Sequence, residues 1–149
     1  MYEKILVPLD GSKRAEKILS HVIEISQCMG SKIILLEVVI PAYYVLDPQV
    51  SFMDVNIEET KYRVEEAKSY LEKVQDKLSK QGLRVESVVE QGTIVETVID
   101  IARKKDVDLI AMASHGRSGL GRVFYGSVSA GLLQQIDRPL LLIRSRDED

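Results

Sequence analysis

A chain of 149 residues with 45% hydrophobic content has the size and apolar fraction of one independently folding domain, spanning residues 1–149. Its net charge of −3 lacks the basic excess of a nucleic-acid footprint, and no stretch approaches the ~18 uninterrupted apolar residues of a membrane span. Its one cysteine, Cys28, rules out an internal disulfide and a cysteine-rich metal site.

The opening MYEKILVPLDGS has strand patterning, an early Glu3 and no long apolar signal-peptide core, so a cytoplasmic protein is expected. Lys4 to Leu9 is the predicted first strand. Asp10-Gly11-Ser12 is a turn with helix-starting chemistry, since side-chain oxygens there can accept from unpaired backbone N–H groups. Ala15, Ile18, Leu19, Val22, Ile25 and Met29 then recur in steps of three and four, which lines one helical face. Gly30 stands where a left-handed C-terminal cap belongs.

Lys32 to Ile40 is nearly all apolar and reads as a strand buried on both faces. Residues 41–56 follow no period. They include Pro41, Tyr43, Tyr44, Pro48, Phe52 and Met53, and are expected to form an ordered insertion. Asn56 and Glu59 form a capping pair for a long helix with the stripe Val64, Ala67, Leu71, Val74 and Leu78, ended by Gly82. Leu83 to Val88 alternates in part, as a half-exposed edge strand would. Thr93 and Glu96 have capping-box spacing ahead of Val95, Val98, Ile99 and Ala102. Leu109 to Met112 is a fourth strand, Gly126 to Ile136 a helix with Val128, Leu132 and Ile136 on one face, and Pro139 to Arg144 a last strand. Strands alternating with helices imply a parallel sheet covered on both faces.

The chemistry concentrates in residues Ala113 to Ser127, ASHGRSGLGRVFYGS, between a buried strand and a helix start. Glycine lets backbone N–H groups approach an anion, and a helix N-terminus supplies unpaired N–H groups and a favourable dipole. Ligands of open α/β sheets sit at the carboxyl ends of strands where the strand order reverses. If the first and fourth strands are neighbours, the loop after the first brings Asp10 as a hydrogen-bond acceptor to one wall of a cleft, and the loop after the fourth brings a phosphate cradle to the other. Arg117 and Arg122 are candidate phosphate clamps, weighed against ordinary surface arginines. Gly121-x4-Gly126-Ser127 is not a P-loop, because Ser127 stands in place of the lysine and Val128 in place of Ser or Thr. No nucleophile–base pair and no carboxylate pair for metal-assisted hydrolysis stands out, and no catalytic residue is assigned. His115 is read as a hydrogen-bond donor rather than an acid–base group.

These residues resemble the universal stress protein family, whose nucleotide-binding members carry G-x-x-G-x9-G-[ST] after the fourth strand. Here the pattern reads Ala113-x-x-Gly116-x9-Gly126-Ser127. The resemblance also covers KILVPLDGS, IILLEVV, DLIAMASHGRSG and the RPLLLIR ending, and so nearly the whole chain. It implies an open five-stranded parallel sheet of order 3-2-1-4-5 and an ATP-binding stress-response or signalling module. AMP is the alternative ligand, and Mg²⁺ would accompany ATP. By resemblance, Pro8, Leu9 and Asp10 line base and ribose, with Val38 beside the adenine. Met112 and Ala113 form the floor, and His115 and Gly116 enter the phosphate loop. Gly126, Ser127, Val128 and Ser129 hold phosphates. Ala113 departs from the family glycine. Leu140 to Ile143, an apolar run at the sheet edge, is expected to pair with a second copy as a homodimer. Two further readings stay open: a slow ATP hydrolase or phosphotransferase using Asp10 and Mg²⁺, and a nucleotide-free dimerisation module.

Overall fold

The computed structural model describes residues 1–41, 57–115 and 126–145. The elements run β1 (Lys4–Pro8), α1 (Lys13–Glu16), α2 (Ile18–Met29), β2 (Lys32–Val39), α3 (Ile57–Ser79), β3 (Arg84–Gln91), α4 (Ile94–Lys104), β4 (Leu109–His115), α5 (Ser127–Gln135) and β5 (Leu140–Ser145). Every recorded strand pairing is parallel, and the sheet order is β3-β2-β1-β4-β5. The expected fold and order are therefore observed.

Alternation along the central strands divides the core into two layers. Ile5 and Val7 of β1 and Ile33 and Leu35 of β2 point to the face carrying α2 and α3, where Val22, Leu71 and Leu78 meet them. Leu6, Ile34, Leu36 and Ile110 point to the opposite face, against Val98 and Ala102 of α4 and Leu132 of α5. Burying each of these larger side chains contributes ~1.5–3 kcal/mol. Strands covered on both sides need apolar residues at consecutive positions, which is why β1 and β2 read as apolar runs. The edge strand β3 shows no fully buried residue, as its weaker alternation implied.

Several expectations are corrected. β4 continues to His115, three residues beyond Met112, so Ala113 is a strand residue in register with Ile143. The buried line of α2 runs Ile18, Val22, Ser26, and Met29 is 51% exposed on the outer side of the last turn. Thr93 precedes α4, but its hydroxyl donates to Glu96 Oε2 at 3.0 Å and makes no bond to the helix backbone. The capping box is reduced to a side-chain pair. Asn56, the Tyr43–Tyr44–Phe52–Met53 group, Gly116, Arg117 and Arg122 lie outside the described residues. Among the described residues, no helix is long and apolar enough to cross a membrane.

At the edge where the strands begin, Asp108 Oδ2 accepts from the backbone N–H groups of Glu3 and Lys4 at 2.8 and 2.9 Å, tying β4 to β1. Glu86 pairs with Lys32 at 2.6 Å and with Lys105, and these hydrogen bonds hold its carboxyl below the usual carboxylate range. This charge cluster fixes the far end of the sheet and leaves the other edge to carry the site.

Candidate functional site

The strand order reverses between β1 and β4, which run side by side although β2 and β3 intervene in sequence. Their recorded pairing consists of Ile5 with Leu109 and Leu6 with Ile110. Above it, β1 stays joined to β2 through Pro8 opposite Leu36 and a 2.8 Å bond from Leu9 N to Leu36 O. β4 stays joined to β5 up to His115 opposite Ser145. The upper halves of β1 and β4 thus follow different neighbours, and Pro8 has no N–H with which to close the gap. A crevice of this kind is where open α/β sheets take ligands.

On its first wall, Leu9 is buried and Asp10 exposed. Asp10 Oδ1 accepts from Ser12 N at 2.9 Å, and Ser12 Oγ accepts from Ala15 N at 3.2 Å as the cap of α1. Gly11, at φ 83°, makes this reversal without the Cβ strain another residue would carry. Val38 and Met112 both pack on the α4–α5 face. Ala113 is buried with a φ that is not positive, so its methyl group sits in ordinary extended backbone.

The second wall is the start of α5. A helix that follows a parallel strand and returns to another begins at the carboxyl edge of the sheet, so the N-terminus of α5 stands at the same edge as the crevice. Gly126 is its N-cap and brings no side chain to satisfy the first N–H groups. Ser127 is exposed and Val128 half-buried, whereas Ser129 is only 1% exposed on the inward face. The fold brings Pro8, Leu9, Asp10, Met112, Ala113, His115 and Gly126 to this edge, with Val38 on the neighbouring strand. Gly116, between His115 and α5, is outside the described residues. The uncapped start of α5 fits an anion such as a phosphate.

Sequence reading missed a second feature of the same edge. On the α3 face, a cavity of about 410 Å³ is lined by Asp10, Glu37, Val39, Arg63, Glu66 and Tyr70, among others. Glu37 Oε2 is buried with no hydrogen-bond partner among the described residues. Burial first, then the charges of Asp10 and Glu66, push its carboxyl above the usual range. Tyr70 donates to Glu16 Oε1 at 2.9 Å, and burial together with that bond raises its phenol well above the ordinary value. The available signal was one acid, Glu37, inside the apolar run of β2.

The parallel order and the crevice at its reversal define a doubly wound α/β protein. The chain belongs to the universal stress protein family, whose model matches residues 1–144. The universal stress protein MJ0577 of Methanocaldococcus jannaschii is 29% identical over 158 residues, 99% of this chain and 98% of the relative. YxiE of Bacillus subtilis is 28% identical over 148 residues, covering 97% and 100%. A solved structure of MJ0577 matches with a TM-score of 0.84 at 30% identity, covering 99% of each chain. A universal stress protein solved in complex with cAMP shares the fold at a TM-score of 0.69 and 18% identity, covering 97% of this chain and 98% of that one.

Proposed function

We propose that this protein is a cytoplasmic, homodimeric ATP-binding module of stress response or signalling, without strong catalytic activity. The observation that carries the reading is the crevice between the upper halves of β1 and β4, at the edge of the sheet where α5 begins with the side-chain-free N-cap Gly126. The adenine lies between the end of β1 and Met112, beside Val38, and Asp10 accepts from the ribose. The phosphates meet the first N–H groups of α5 at Gly126 and Ser127, where the helix dipole favours negative charge. His115, Gly116, Val128 and Ser129 belong to the same phosphate end, and Mg²⁺ accompanies the phosphates of ATP. A fold-mate in complex with cAMP supports an adenine nucleotide as a ligand this fold can hold. The reading assigns no residue to bond-breaking chemistry, and Asp10 accepts from Ser12 N in its own turn as well as from the ribose.

Calorimetric titration with ATP tests it. Gly126→Asp sets a carboxylate among the phosphates, and like charges there oppose binding. The wild type is expected to bind and the variant to lose measurable affinity. Equal affinity in the two proteins would defeat the assignment of the phosphate end.

A further inference from the structure

We propose that Glu37 is a proton-uptake site that couples the packing of α3 on the sheet to pH. The residue sits near the end of β2 and faces α3, in a cavity that shares Asp10 and Val38 with the proposed nucleotide site, and the inference concerns the protein without nucleotide. Its Oε2 is shut off from solvent and has no hydrogen-bond partner among the described residues. A buried carboxylate oxygen without a partner is costly in its charged form and far less so when protonated.

The surroundings reinforce the bias. Asp10 enters the cavity from the turn after β1, and Glu66 enters from α3. Both raise the affinity of Glu37 for a proton, after burial itself. Arg63 of α3 lines the cavity, but its Nη1 donates to Ile40 O at 3.0 Å. Tyr70 of α3 donates its hydroxyl hydrogen bond to Glu16 of α1. On the sheet, the residue beside Glu37 in register is the uncharged Val89. Among the described residues, no set of three His, Cys, Asp or Glu side chains is placed to hold a metal ion. A proton is the cation this geometry takes.

The sign follows from linkage. Glu37 binds its proton more tightly in the folded protein than in the unfolded chain. Its contribution to stability is therefore fully present at low pH and is lost as pH rises through its folded-state titration. Glu37→Gln mimics the protonated form at every pH. In denaturant unfolding followed from about pH 4 to pH 8, a span that brackets a raised carboxyl, the variant should unfold at higher denaturant than wild type at neutral pH. The gap should close as the medium is acidified. A gap that does not change with pH, or a variant less stable throughout, overturns the proposal. Should Glu37→Gln fail to fold, the side-chain carboxyl resonance of Glu37 in the wild type decides. It should titrate above the ordinary ~4.3 and move down in Glu66→Gln, a substitution at an exposed position. Titration of Glu37 at the ordinary value also overturns it.

Discussion

Ala113 carries a methyl group where the resembled family pattern has glycine. In this fold the position is the fifth residue of a strand, buried, with ordinary extended backbone. No left-handed conformation has to be supported there, so the methyl group adds no backbone strain. Ala113→Gly should therefore tighten ATP binding by less than about tenfold, or ~1.4 kcal/mol. The same change should lower stability by roughly 0.5–1 kcal/mol, because glycine in a strand loses more chain entropy on folding. Calorimetry and denaturant unfolding on one variant check both. ATP binding gained only in Ala113→Gly would favour the nucleotide-free module. At this scale the sequence was informative where one residue type has one physical use. Gly30 caps α2 at φ 69° and Gly82 follows α3 at φ 81°, as expected of left-handed positions. It was less informative where a side chain has several partners to choose from. Thr93 and Glu96 have capping-box spacing, yet the hydroxyl bonds the carboxylate instead of the backbone.

Helices and strands were legible wherever one face is apolar and the other polar. α3 buries Ala67, Leu71, Val74 and Leu78, four of the five stripe residues read from spacing, and Val64 is half-buried. Element ends were harder. β4 outruns its apolar stretch because pairing with β5 carries Ala113, Ser114 and His115 along, and cross-strand pairing has no signature in a single segment. The contact of α4 with α5 was equally hidden. A Cβ on Gly131 would come within 2.9 Å of Val95 Cγ2 and 3.4 Å of its Cγ1. Alanine in mid-helix would otherwise gain about 1 kcal/mol over glycine. Gly131→Ala should thus stabilise the protein more in a Val95→Ala background than in the wild type. Unfolding of the two single variants and the double variant gives the coupling directly. Additive effects would show that the two helices do not press on each other at this point.

At the scale of the whole molecule, helix–strand alternation was enough to expect a parallel sheet covered on both faces. The strand order was not contained in the alternation and came with the family resemblance. That order matters because it makes β1 and β4 neighbours, so two loops far apart in sequence share one crevice. It also leaves β5 as an edge, with Leu140 to Ile143 half-exposed. An apolar edge with unpaired backbone groups favours pairing with a second copy. Sedimentation at high micromolar concentration should report a dimer, and a monomer there would count against the proposed assembly. The acidic cavity escaped sequence reading for the same topological reason, since Asp10, Glu37 and Glu66 meet only after β1, β2 and α3 have packed. The proposed nucleotide lies at the crevice between β1 and β4, and the cavity, which shares Asp10 and Val38 with it, extends toward α3. A crystal structure with ATP and Mg²⁺ separates the two in one measurement. The expected result is adenine beside Val38 and Met112, with phosphates at Gly126 and Ser127. Nucleotide density against Glu37 and Glu66 with none at Gly126, or no density at all at saturating ATP, would contradict the account.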